Sequence, residues 1–383
     1  MGNMSQNIIL RTNTLVRMIT RHILYYATPT NLTYFWSFGS LVGIFFALQL
    51  ITGIWLSIYY SASVDLAFES VDYIMTNKPG GWLIRYAHSN GASMIFILLY
   101  AHIGRAFYTI SYLSRPAVWL SGLVIFILMM ATAFLGYVLP WGQMSYWGAT
   151  VITSLFSVIP AIGKPLVEWI WGGFTVGPAT LNRCYTLHFV LPFITTALII
   201  MHLSLLHETG STAPLKIVYG TDKIGFWTYF KEKDSFPLFV SLSIFSFLIL
   251  VTPNLLGHPD NFIEANPSVT PLHIVPEWYF TPFYAILRAC PDKIGGVVGM
   301  GSAIALLGIL PFYRLLDKAV LRDTEFSLAH ALFCTIFFSN FLLLGLLGSS
   351  PANEAYVIAS KYACFIYFLY LIILLPLLIR KKN

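Results

Sequence analysis

Four histidines stand out in this sequence for their spacing. His88 and His102 bracket the run HSNGASMIFILLYAH, and His188 and His202 bracket HFVLPFITTALIIMH, each pair 14 residues apart. A helix turns about 100° and rises about 1.5 Å per residue, so the second imidazole returns to within about 40° of the first, about 21 Å further along. Each run therefore presents two imidazoles on one face. A single histidine in an apolar helix is commonly a satisfied core residue. Two equal spacings on apolar helices point instead to a ligand, because ionisable groups at membrane depth are costly. Neutral imidazoles in facing pairs offer the two axial positions of a six-coordinate haem iron. The four cysteines, Cys184, Cys290, Cys334 and Cys364, form no CxxC or CxxCH, which argues against a zinc knuckle and against covalent c-type haem. A di-zinc site fails on depth, since the pairs lie too far apart to share ligands.

The elements that position these histidines follow from composition. The 383 residues are 57% hydrophobic and 10% charged, where a soluble domain carries about 25% charged residues. This is an integral membrane protein of the all-α class, because backbone inside hydrocarbon must satisfy its own hydrogen bonds. Apolar windows predict eight spans, near residues 33–59, 82–108, 117–139, 181–205, 236–253, 295–314, 327–347 and 355–378. An amphipathic surface segment over 1–32, a four-helix bundle over 33–215 and a C-terminal part over 216–383 with four further spans complete the expected organisation. Eight spans place both termini on one face. Of the 22 Lys and Arg, 15 fall on that face, which marks it as the negative side. The net charge of +6 reflects this topology rather than nucleic-acid binding, since no long basic run occurs. The N-terminus carries Arg11, Arg17 and Arg21 with no acidic residue before Asp65, and it reads as a retained surface segment rather than a cleaved presequence.

The second and fourth spans run in one direction, so His88 and His188 meet at one depth near the positive side, and His102 and His202 at another near the negative side. Four such imidazoles imply two irons about 20 Å apart across the bilayer. The first and third spans carry glycines with the same 14-residue spacing, Gly39 and Gly53, Gly122 and Gly136. Running antiparallel to the second, they bring Gly39 and Gly122 to the His102/His202 depth and Gly53 and Gly136 to the His88/His188 depth. There a missing side chain lets backbone approach a macrocycle, rather than serving only generic helix packing. Pro192, four residues after His188, should bend the fourth span. Arg85 and Arg105 each lie one turn outward of a histidine, placed either to hold haem propionates or to snorkel to the interface. Two long Pro-rich connections, 142–180 and 254–294, lie on the positive side and read as surface or re-entrant structure.

These residues, together with GYVLPWGQMSYWGATVIT (136–153), GPATLNRCYTLHFVLPF (177–193), HETGS (207–211), NLLGHPDNF (254–262) and PEWYFTPFYAILR (276–288), resemble the cytochrome b family of the bc1 (complex III) type over nearly the whole chain. The 14/14 histidine spacing and the unsplit chain are more similar to the bc1 type than to the plastid b6 type. The resemblance implies two non-covalent haems b, a low-potential one on His88 and His188 and a high-potential one on His102 and His202. It implies quinol oxidation at Phe134, Tyr137, Gly148, Pro276, Glu277, Tyr279 and Tyr284. It implies quinone reduction at Ser40, His207, Lys233 and Asp234, with Trp36 and Arg105 nearby, and it adds Ser111, Trp119 and Arg183 to the cofactor-binding candidates. The activity implied is that of a ubiquinol:cytochrome c oxidoreductase running a Q cycle. Its partners would be a Rieske iron-sulfur protein, cytochrome c1 and accessory complex III subunits in a homodimeric assembly. The membrane implied is the mitochondrial inner membrane or, alternatively, a bacterial plasma membrane.

The topology read from the residues agrees with two sites on opposite faces, since PEWY and Gly148 fall in the positive-side connections and His207 and Asp234 in the fourth-to-fifth connection. Departures from the family pattern occur at Ser37, Cys184, Thr186, His258 and Thr281-Pro282. They bear on the shape of the oxidation pocket and on Rieske docking. A secondary transporter would instead show inverted repeats and charged midplane sites. A different dihaem membrane anchor would lack PEWY.

Overall fold

The structure, a computed structural model, describes residues 20, 26–214, 222–315 and 328–379. Most of the N-terminal segment expected over 1–32 lies outside the described residues, as do Arg11, Arg17 and Arg21. Twelve helices matter for the site. They are α1 (Phe38–Ser57), α2 (Ala67–Asn77), α3 (Gly81–Tyr108), α4 (Pro116–Val138), α5 (Gln143–Ser154), α6 (Gly163–Trp171), α7 (Pro178–Thr209), α8 (Phe226–Leu250), α9 (Thr281–Ala289), α10 (Lys293–Ile309), α11 (Leu328–Ser349) and α12 (Glu354–Leu369). Eight helical segments among the described residues are long and apolar enough to cross a membrane. They fall on α1, α3, α4, α7, α8, α10, α11 and α12, in the order the apolar windows predict, with α10 continued by a 3₁₀ turn to Tyr313 and α12 by π and α turns to Ile379.

Local sequence explains the boundaries. No charged residue occurs between Pro116 and Val138, and Pro116 opens α4 at a position where its missing N–H is not needed. Pro178 opens α7 in the same way. Pro192 lies inside α7 without ending it, and it leaves the His188 carbonyl without its intrahelical donor. The fifth spanning helix begins at Phe226 rather than near 236. Its first turns contain Lys231, Glu232 and Lys233, good helix formers that an apolar window passes over, followed by Asp234. Lipid-side residues such as Ile51, Phe239 and Leu342 remain about 70% exposed, as expected where hydrocarbon is the solvent.

Helix α1 packs along α3 and α4 along α7, which forms the N-terminal bundle. Helix α8 lies against α3, and its Phe245 ring stands edge-on to Phe45 of α1 at 5.1 Å. Helix α10 lies against α4, where the Trp119 indole N–H donates to the Leu307 carbonyl at 2.7 Å. Helices α9, α11 and α12 pack together. They join the bundle through Phe107, stacked 5.2 Å from Phe337. One hydrophobic core therefore runs through both parts of the chain.

The long connections are more ordered than the apolar windows suggested. Residues 142–180 contain α5 and α6, and 254–294 contain α9 and two 3₁₀ turns. The two connections clasp each other. The Gln143 N–H donates to the Ile263 carbonyl at 2.9 Å and the Ala265 N–H to the Trp141 carbonyl at 3.0 Å. The Gln143 side chain bonds the Val269 carbonyl and the Asn266 N–H at 3.0 and 2.9 Å, and the Asn261 carboxamide accepts from the Ser145 N–H at 2.9 Å. A side chain at Gly142 would put its Cβ 2.3 Å from the Asn261 carbonyl, so this junction needs glycine. Trp141 sits beside it in the left-handed region at φ 56°, a strained conformation that the surrounding hydrogen bonds hold. On the opposite face, Ala27–Pro29 pairs antiparallel with Lys223–Gly225.

Candidate functional site

The structure brings the histidines together as the spacing predicts. The His88 and His188 rings face each other with centroids 6.2 Å apart and planes at 85°. That gap admits one metal ion at metal–nitrogen distances of about 2 Å. His102 and His202 lie close enough to interact electrostatically. Among the described residues no group of three or more His, Cys, Asp or Glu comes together as a metal cage. Each pair would supply two imidazole nitrogens to one iron, with a haem macrocycle supplying its remaining ligands.

Each glycine lies against one histidine. A Cβ added at Gly136 would come 2.4 Å from His188 Cε1, at Gly39 2.9 Å from His102 Cε1, and at Gly53 and Gly122 3.1 Å from the same atom of His88 and His202. The matched depths follow the predicted pattern, and the contact has a specific content: the space each glycine leaves is taken by an imidazole edge. The residue types fit haem in a second respect. Buried donors beside the rings, Arg105 Nε and Trp36 Nε1 near His102 and Gln49 Nε2 near His88, have no protein partner among the described residues. Arg105 also stacks its guanidinium over Trp36 at 5.2 Å.

The imidazole Nδ1 atoms are held from outside the pairs. His88 Nδ1 is 2.9 Å from Thr52 Oγ1, His202 Nδ1 is 2.9 Å from Ser121 Oγ, and His188 Nδ1 is 2.8 Å from the Thr132 carbonyl. A carbonyl only accepts, so His188 carries its proton on Nδ1 and leaves Nε2 bare for a metal. Sequence reasoning did not single out Thr52, Ser121 or Thr132. A signal was present, since Thr52 and Ser121 each immediately precede a spaced glycine.

A cavity of about 440 Å³ opens beside the His88/His188 pair. Its lining joins Gly53, Gly136, Arg85, Tyr137, Glu277 and Tyr279. Glu277 is half-buried and opens into this space. Burial pushes its carboxyl up to about 7, against the opposing pull of the Tyr137 hydroxyl, which donates to it, and of the Arg85 charge. Tyr279 stacks on Phe96 at 4.1 Å, almost parallel. Its carbonyl accepts from the Tyr100 hydroxyl. Tyr284 donates to the Ile274 carbonyl at 3.3 Å, just before Pro276. Phe134 packs in the small core beneath the clasped connections. Gly148 lies on α5 with open space where a side chain would go.

Two of the departures have local explanations. His258 caps the 3₁₀ turn Pro259–Phe262 by accepting the Asp260 N–H on its side chain at 3.2 Å. That is work an Asp also performs. Thr281 bonds the Trp278 carbonyl at 2.6 Å and presses its own carbonyl against Gly348 of α11.

On the negative side, Asp234 accepts from Ser37 at 2.7 Å and from Ser40 at 3.3 Å. Lys233 donates to the Leu32 carbonyl. His207 stacks on Tyr26 at 4.3 Å. The remaining candidates are held by protein groups: Ser111 by Thr109 and Thr212, Trp119 by Leu307, and Arg183 by the carbonyls of Trp169 and Ile170.

Eight helices among the described residues that are long and apolar enough to cross a membrane, grouped around two imidazole pairs with polar clusters at both ends, define a multi-span electron-carrier protein of the membrane. Comparison with known proteins narrows that class. The family profile Cytochrome b/b6/petB matches residues 23–210, and Cytochrome b(C-terminal)/b6/petD matches 264–368. Cytochrome b of Chondrus crispus is 49% identical over 370 residues, covering 96% of both chains. Cytochrome b of Rickettsia prowazekii is 50% identical over 361 residues, covering 94% of this chain and 90% of its own. A chain of a solved structure titled "Hyperthermophilic respiratory Complex III" superposes with a TM-score of 0.86 at 30% identity, covering 97% of this chain and 98% of that one. The chain belongs to the cytochrome b family. It binds two haems b, and its substrate is quinone.

Proposed function

We propose that His88 with His188, and His102 with His202, ligate the two haems, and that the chain is the quinone-reacting subunit of a ubiquinol:cytochrome c oxidoreductase. The observation that carries this reading is the cavity joining the His88/His188 pair to Glu277 and Tyr137. When bound, the haems carry single electrons from the quinol pocket to the quinone-reducing face, while the other electron of each quinol leaves to a Rieske iron-sulfur partner.

The protein's own work is proton handling and positioning. Glu277, titrating near neutrality, is matched to accept a proton from a bound quinol hydroxyl. Tyr137 orients its carboxylate, and Arg85 stands beside it as a cation that also suits a haem propionate. The stacked Tyr279 and Phe96 give the pocket an apolar wall. At the other face, Asp234 with Ser37 and Ser40, and His207 beside Tyr26, provide protonatable and hydrogen-bonding groups for quinone oxygens. Lys233 supplies positive charge there, and Arg105 with Trp36 borders the His102 haem. Cytochrome c1, accessory subunits and a second copy of this chain complete the proposed assembly. The mitochondrial inner membrane, or a bacterial plasma membrane, is its proposed location.

A reduced-minus-oxidised spectrum with a redox titration of the purified complex tests this reading. The native protein should show two b-type components. His88→Leu should remove one of them and leave the other, and retention of both would refute the ligand assignment.

A further inference from the structure

The four histidines are not equally supported at Nδ1. The Thr52 hydroxyl lies 2.7 Å from the Leu48 carbonyl of its own helix, and the Ser121 hydroxyl lies 2.9 Å from the Val118 carbonyl. A hydroxyl has one proton. Once it is given to the helix backbone, the oxygen can only accept from the imidazole. His88 and His202 must then carry their protons on Nδ1, with Nε2 bare. His188 reaches the same state through the Thr132 carbonyl.

His102 is the exception. The residue before its glycine is Phe38, which has no hydroxyl, and the group at its Nδ1 is the Arg105 guanidinium at 3.2 Å. A guanidinium donates and never accepts, so a His102 that ligates through Nε2 keeps its Nδ1 proton without an oxygen acceptor here and cannot also take the Arg105 bond.

We propose that Thr52 and Ser121 are positioning residues that fix the ligating tautomer of His88 and His202, and that the unequal partners of the four Nδ1 atoms order the two haem potentials. This rests on the ligand assignment above. An oxygen acceptor on Nδ1–H makes an imidazole more electron-donating, which favours the oxidised metal. Both ligands at the His88/His188 centre have such an acceptor. At the other centre only His202 has one, while an arginine charge acts on a histidine at each centre, Arg85 on His88 and Arg105 on His102. The His88/His188 centre is thereby the harder to reduce. The order of potentials across the membrane follows from side chains outside the ligand sphere.

The test is potentiometry of the complex, following each b-type component separately. Thr52→Val keeps the shape and removes the acceptor. It should raise the midpoint of the His88/His188 component and leave the other in place, and Thr52→Ser should restore the native value. Ser121→Ala should raise the midpoint of the His102/His202 component alone, by less than Thr52→Val moves the other, because the Val118 carbonyl remains as a second acceptor for His202. If Thr52→Val loses that haem while Thr52→Ser keeps it, the hydroxyl is again the positioning group. Loss in both Thr52 variants, equal movement of both midpoints, or native midpoints in Thr52→Val and Ser121→Ala would overturn the proposal. A His88→Leu chain that loses one component while Thr52→Val keeps its native midpoint separates failure of this inference from failure of the ligand assignment.

Discussion

At the His88/His188 end, the surroundings are a largely apolar cavity whose carboxyl, Glu277, and phenol, Tyr137, come from opposite halves of the chain and are held by two clasped connections. At the His102/His202 end, the polar groups sit on helix ends. Ser40 is exposed, and Asp234, Lys233 and His207 are half-buried. The same ligand pattern has thus been given two different antechambers. An apolar pocket that raises a carboxyl to about 7 favours controlled release of one proton at a time. An open cluster of hydroxyls, carboxylate and imidazole favours uptake from water.

Three measurements can break or sharpen that contrast. The largest effect is expected at the glycines, because the clash differs from place to place. Gly136→Val would drive a side chain into His188 and should eliminate the His88/His188 component of the spectrum. Among single alanine replacements, haem loss should rank Gly136 first, then Gly39, then Gly53 and Gly122 together, following the distances of 2.4, 2.9 and 3.1 Å. Equal tolerance at all four would show that the imidazoles yield easily and that the glycines serve only helix packing.

Next comes Glu277→Gln, for which quinol oxidation should fall by about 10²-fold with both haem spectra intact. The base must be deprotonated to accept. Native activity should therefore rise with pH through about 7, and the variant should lose that rise. A variant that retained the native pH profile would move the proton acceptor elsewhere. The smallest of the three is Asp234→Asn, expected to slow oxidant-induced reoxidation of the His102/His202 component by about tenfold, or about 1.4 kcal/mol. Reduction of the His88/His188 component by quinol should be unaffected, and slowing at both ends would mean that the two faces are not independent.

Much of this architecture could be read before any coordinates, and the reason is the membrane. A bilayer forces long apolar helices and makes each buried imidazole conspicuous, so the spans, the histidine pairs and the depth-matched glycines follow from spacing alone. What escaped was local polar chemistry. Thr52, Ser121 and Thr132 bond to histidines that are 36, 81 and 56 residues away, and a hydroxyl in an apolar helix is equally at home bonded to its own backbone. Helices α5 and α6 were hidden because proline and glycine dominate the composition around them. The start of α8 was hidden because its charged turn is helical but not apolar. His258 appeared as a departure in the sequence, whereas the turn it caps needs only an acceptor.

The separations along the chain also imply an order of assembly. A chain made from its N-terminus has all four spaced histidines in hand once α7 is complete. Ser37 must then wait for Asp234, 197 residues later, before the negative-side cluster closes. Tyr137 waits for Glu277, which comes later still. During synthesis both histidine pairs are therefore laid down before either polar cluster, and the cavity that joins Tyr137 to Glu277 is finished last. A partly made chain could hold its cofactors, but it could not yet strip electrons from quinol with nowhere to send them.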